Sequence, residues 1–138
     1  MIIVVGGNAR KVGKTSLVCA VIAAFPQVEW RAVKLSPHQH RDAEGDSERY
    51  RRAGAHTAEL RNELPAMTDG HWLVESNRAM ESLQPDAYLF LEATAPRDEK
   101  PRDRWHRERA TLILHDWLPG DDLPAEVRAL ISSLLKSR

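Results

Sequence analysis

The chain has 138 residues, 42% hydrophobic and 29% charged, with 20 basic and 20 acidic side chains and no formal net charge. That length fits one domain, 1–138, with a core of its own, and the neutral balance gives no electrostatic reason to expect nucleic acid or an acidic lipid surface as a partner. One cysteine, Cys19, excludes an intrachain disulfide framework, and no apolar run is long enough to cross a bilayer.

Ile2–Val5 is a continuous β-branched run and predicts a strand buried on both faces. It is apolar but short and has no basic leader, so no secretion signal is read there and a cytoplasmic protein is expected. Gly6-Gly7 ends the strand. From Lys14 to Phe25, Leu17, Val18, Val21, Ile22 and Phe25 recur at helical spacing, and Pro26 stops the helix. Cys19 falls within this helix and reads as a small buried hydrophobe. Val28–Leu35 predicts a second strand, and Ser36–Gly45 a polar loop.

Asp46 or Ser47 can cap a short helix that runs through Ala53 and stops at Gly54. His56–Leu60 is a candidate edge strand, and Asn62–Thr68 has no clear periodicity. His71–Glu75 predicts a strand, Asn77–Leu83 a helical turn or two, and Ala87–Leu91 a strand. Arg97–Arg109 is densely charged. It reads as a solvated run, a mobile lid or a base-binding loop, with Trp105 the one residue suggesting docking. Thr111–His115 is the last strand, and Val127, Leu130, Ile131, Leu134 and Leu135 share one face of a final helix. Strands alternate with helices, and several are apolar on both faces. The expected fold is therefore a three-layer α/β sandwich around a mostly parallel sheet.

The chemistry concentrates between the first strand and the first helix, at Gly7-Asn8-Ala9-Arg10-Lys11-Val12-Gly13-Lys14-Thr15, followed by Ser16. Glycines let successive N–H groups curl inward, and the helix N-terminus behind them adds partial positive charge. Lys14 can reach the β- and γ-phosphates of a nucleotide, and the Thr15 hydroxyl can hold Mg2+. This is a phosphate-binding loop between strand and helix, and it predicts the P-loop nucleoside triphosphate hydrolase fold. Five residues separate Gly7 from Gly13, one more than the common spacing. Asn8 stands where the first Gly would otherwise fall, and asparagine tolerates left-handed backbone, so both alignments are open.

Other residues join this cradle. Lys34 ends the second strand and either adds a cation near the γ-phosphate or is a solvated surface lysine. A Mg2+ site needs a carboxylate. Glu75, at the end of an apolar strand, is preferred to Glu92 at the end of Tyr88–Leu91. Lys14 and Glu75 are thus the candidate catalytic pair, and Thr15 and Glu75 the candidate metal ligands. His38, His40 and Asp42 share one loop at spacing that permits a metal or a nucleotide contact. Asp46, Arg49 and Arg52 form either a solvated helical face or an anion contact.

The Gly-x5-Gly-Lys-Thr loop, ending Val-Gly-Lys-Thr, resembles dethiobiotin synthetase and the cobyrinic-acid amidases. Their class also contains the molybdopterin-guanine dinucleotide biosynthesis adaptor proteins. The stretch Ala32-Val33-Lys34 with its following His-bearing loop is similar to the adaptor family. So are Gly45-Asp46-Ser47-Glu48-Arg49-Tyr50-Arg51-Arg52-Ala53-Gly54-Ala55 and Trp72-Leu73-Val74-Glu75. Glu48 is an insertion relative to the family's segment, and Ser76-Asn77 stand where the family has Gly. The resemblance implies Mg2+-dependent binding of ATP or GTP with slow hydrolysis, in an accessory protein of molybdenum cofactor biosynthesis that works with a partner enzyme or as a homodimer. No Asn-Lys-x-Asp motif selects guanine. The alternative is a self-sufficient small-molecule kinase or ATP-dependent ligase, a role for which the short chain leaves little room.

Overall fold

In the computed structural model, residues 1–9, 12–36, 45–93 and 100–137 are described. Their strands are β1 (Ile2–Gly7), β2 (Trp30–Leu35), β3 (Thr57–Arg61), β4 (His71–Glu75), β5 (Ala87–Glu92) and β6 (Leu112–His115). The helices are α1 (Lys14–Ala24), α2 (Asp46–Ala53), α3 (Pro101–Arg109) and α4 (Ala125–Lys136), with a 3₁₀ turn at Arg78–Glu81. The strands form one sheet in the order β3-β2-β4-β1-β5-β6, and every ladder is parallel.

The handedness of parallel crossovers dictates which element covers which face. The connections β1–α1–β2 and β2–α2–β3 move one way along the sheet. Those from β3 to β4, β4 to β5 and β5 to β6 move the other way, so right-handed crossovers put them on the opposite face. The core divides accordingly. Ile3, Val5, Leu73, Leu89 and Leu91 pack with Leu17, Val18, Val21 and Ile22 of α1, Tyr50 of α2, and Val127 and Ile131 of α4. Val4, Val74, Tyr88 and Phe90 pack with Ala79 of the 3₁₀ turn, and with Leu64 and Met67 from the segment without regular structure. Successive residues of β1 and β5 thus point into different cores, which is why both strands are apolar throughout.

Boundaries differ from the sequence expectation where turns intervene. Helix α1 ends at Ala24, because the residue before a proline is driven from helical backbone, and Phe25 has φ −126°. Strand β2 starts at Trp30 rather than Val28. A turn precedes it, in which the Val28 N–H donates to Phe25 O and the Trp30 N–H to Val28 O, each at 3.1 Å. Neither Asp46 nor Ser47 caps α2 with its side chain; Gly45, at φ 67°, is the N-cap residue.

The largest correction concerns the charged segment. Residues 94–99 lie outside the described set, but Pro101–Arg109 is a helix that buries Asp103 and His106 and leaves its other face exposed, not an irregular solvated run. Pro101 supplies a preset first turn, and the Asp103 carboxylate accepts the Lys100 N–H at 3.0 Å. His106 is buried, with Nδ1 2.9 Å from the Tyr88 hydroxyl and its ring stacked on Phe90. Burial lowers the His106 pKa, against the pull of Asp103. A histidine with a lowered folded pKa adds stability that is complete above its unfolded value of about 6.5 and vanishes as pH falls through the folded value. Urea midpoints should therefore drop as pH falls from about 7.5 to about 5. His106→Gln should flatten that slope; an unchanged slope would remove His106 as its source.

Candidate functional site

Strands β1 and β4 are neighbours whose following connections leave to opposite faces. In parallel sheets a crevice opens beyond the carboxyl ends at such a point. Register then brings specific side chains together. Val5 pairs with Glu75 across β1–β4, and Lys34 pairs with Glu75 across β2–β4. Paired residues point to the same face, so Glu75 and Lys34 both face the side covered by α1 and α2.

The turn leading into α1 is held from both sides. The Gly7 N–H donates to Asn77 Oδ1 at 2.8 Å, and Asn77 Nδ2 donates to Gly7 O at 2.7 Å. A Cβ on Gly7 would stand 2.5 Å from Val12 Cγ1 and 3.1 Å from Leu91 O, so no larger residue fits. Gly13 has φ 103°, a left-handed value that sets the chain's entry into α1. Among the described residues no side chain caps α1, and no acidic residue stands in its first turn. Its first amides therefore have no helical partner, and the dipole's positive end lies beyond the carboxyl end of β1.

Asn8 braces the turn. Its N–H donates to Leu91 O at 3.0 Å, its Nδ2 donates to Ala93 O, and its Oδ1 accepts the Ala93 N–H. Neither Asn8 nor Gly7 adopts positive φ, so backbone conformation does not distinguish the two alignments. Ala9 is half-buried and Val12 packs against the first core. Arg10 and Lys11 lie outside the described residues, as do His38, His40 and Asp42.

One carboxylate organises the rest. Glu75 is 4% exposed. Its Oε1 accepts the Thr15 hydroxyl at 2.7 Å and also the Tyr50 hydroxyl. Its Oε2 lies 3.6 Å from Lys34 Nζ. Lys34 also makes a close ion pair with Asp46, itself buried at the start of α2. Arg49 lies 3.9 Å from Asp46 and donates to Ser16 Oγ at 2.9 Å. Lys14 completes the group. Burial lowers its pKa, the Glu75 charge opposes that shift, and Lys34 adds to it. Burial likewise raises Tyr50, with Glu75 the next contributor. Glu92, the competing acid, is paired with Arg107 of α3 at 3.1 Å.

Comparison with protein-family models, with curated proteins and with solved structures finds no match. What the site can do follows from its donors. A hydroxyl and a carboxylate are the hard oxygen ligands Mg2+ prefers, and Mg2+ commonly takes one or two such groups plus water and phosphate oxygens. Among the described residues no cluster of three or more His, Cys, Asp or Glu could hold a metal, so an ion at Thr15 and Glu75 would take its remaining oxygens from water or a ligand.

Sequence reasoning reached Lys14, Thr15, Lys34 and Glu75 but left Lys34 and Asp46 as possible solvated groups. It missed Tyr50, Asn77 and the bond between Arg49 and Ser16. The signal for α2 was present: Asp46, Arg49 and Tyr50 are spaced i, i+3 and i+4, one helix face.

Proposed function

We propose that this chain is a P-loop protein that binds a nucleoside triphosphate, ATP or GTP, together with Mg2+ at the turn between β1 and α1. The observation that carries this reading is the 2.7 Å contact between Thr15 and Glu75 at the uncapped start of α1. It pairs a loop hydroxyl with a strand-end carboxylate at the point where amides, Lys14 and Lys34 add positive character. On this reading the amides of Gly13 to Ser16 and Lys14 hold the phosphates, and Lys34 lies within reach of the terminal one. Bound Mg2+ would neutralise charge on the β- and γ-oxygens. Lys14 would stabilise the charge that spreads over the γ-phosphate during slow hydrolysis. Asn77 and Asn8 tie the turn to the segment after β4 and to the end of β5. The biological role proposed is that of an accessory protein, similar to the molybdopterin-guanine dinucleotide adaptor family, working with a partner enzyme or as a homodimer.

Isothermal titration tests this. ATP or GTP should bind with Mg2+ present and much more weakly with chelator. Absence of binding by both at about 1 mM, the level of a −4 kcal/mol interaction, would remove the reading.

One observation favours a second reading, a small-molecule kinase or ligase. An open groove of about 710 Å³ runs between the 3₁₀ turn and α3, lined by Asn77, Arg78, Glu81, Pro101, Arg102, Trp105 and His106. It starts at the residue that pins Gly7, and its arginines and indole suit a planar anionic acceptor. Multiple turnovers of such an acceptor by the isolated chain would select this reading over the accessory role.

A further inference from the structure

Tyr50 has no part in the reading above, yet it touches the group on which that reading depends. It is fully buried in the first core, and its hydroxyl donates to Glu75 Oε1, the same oxygen that accepts Thr15 Oγ1. The other oxygen, Oε2, faces Lys34, which Asp46 holds in turn. Asp46 and Tyr50 are one turn apart on α2, so a single helix fixes both ends of the Glu75 carboxylate. A glutamate at a strand end has several rotamers open to it. Two hydroxyl donors on one oxygen and an ammonium on the other select one of them before any ligand arrives.

We propose that Tyr50 is a positioning residue for the cation seat: its hydroxyl holds Glu75 Oε1 beside Thr15, so that the two oxygen ligands are already set for Mg2+. This rests on the Mg2+–nucleotide reading of the site. The competing account makes Tyr50 a core ring whose hydroxyl merely needs a partner. The two accounts differ in what the hydroxyl alone controls. Tyr50→Phe keeps the ring and the packing and removes only the donor.

The test is a Mg2+ titration of ATP and GTP binding by the full chain, wild type against Tyr50→Phe, with thermal unfolding followed by circular dichroism. The expected result is a folded variant whose half-saturating Mg2+ concentration rises by roughly tenfold, the effect of losing one hydrogen bond to a charged acceptor. Nucleotide affinity in chelator should not move. In a Glu75→Gln background the same substitution should add nothing to the Mg2+ dependence, since Tyr50 acts through that carboxylate. A Mg2+ midpoint unchanged in folded Tyr50→Phe overturns the proposal and leaves the nucleotide reading standing. Equal losses with and without Mg2+, or an additive effect in the Glu75→Gln background, mark a purely structural tyrosine and also overturn it. A wild type without Mg2+-dependent binding of either nucleotide removes the reading itself and the proposal with it.

Discussion

Lys14→Ala should lower triphosphate affinity by roughly 30- to 150-fold and at the same time leave the ligand-free fold more stable. The first figure is the loss of a charge-assisted hydrogen bond to phosphate, about 2–3 kcal/mol. The second effect follows from where the ammonium sits. Burial lowers the Lys14 pKa, Lys34 adds to the shift, and Glu75 only partly offsets them. A lysine whose folded pKa lies below its unfolded value of about 10.5 weakens the fold in full when protonated in both states. That penalty fades as pH rises through the interval between the two values, so stability climbs with pH there. The wild type should show this climb in urea midpoints at alkaline pH, and Lys14→Ala should lack it. Titration calorimetry reads the affinity and urea denaturation the stability. A folded variant with unchanged triphosphate affinity would take Lys14 out of the site. One that unfolds more easily than wild type would show that Glu75 needs Lys14 more than the fold suffers from it.

Residues whose local pattern and structural role coincide were readable from sequence. The β-branched run Ile2–Val5 must be a buried strand because it has no polar face, and Gly13-Lys14-Thr15 must open a helix for its amides to be useful. Glu75 and Glu92 both end apolar strands, and what sets Glu75 beside Thr15 and Lys34 is register. Parallel pairing sets Val5, Glu75 and Lys34 side by side, and strand order is a property of crossover hand that no local window contains. Helix α3 was hidden for a different reason. Its sequence is mostly charged, and its buried side rests on Asp103 and His106, polar residues that a hydrophobic pattern passes over. Helix α2 hid its role similarly. Its inward face carries an acid and a phenol that face the crevice, so its apolar signal is one residue, Tyr50.

Asp46→Ala is expected to destabilise the chain by about 2–3 kcal/mol, and to do so through Lys34. Removing one partner of a fully buried ion pair costs about 3–5 kcal/mol, because the other charge is left in a poorly solvated place. Asp46 is buried, but the Lys34 side chain is 26% exposed and keeps Glu75 at 3.6 Å, which places the loss below that range. Replacing both charges should recover part of it: Lys34→Met in the Asp46→Ala background no longer leaves Lys34 short of a partner, but it takes the ammonium away from Glu75. A double-mutant cycle in urea isolates the coupling. Coupling near zero would mean that the pair contributes nothing and that Asp46 acts through its other contacts, Arg49 among them. The same cycle bears on the site. Asp46 holds the ammonium that a terminal phosphate would draw toward itself, so the carboxylate and the ligand compete for one cation. Asp46→Ala should thus weaken the fold and tighten triphosphate binding, whereas Lys34→Met should loosen binding in either background. Opposite signs for stability and affinity at Asp46 are what a site reserving Lys34 for an anion requires; losses of both together would assign Lys34 to the scaffold.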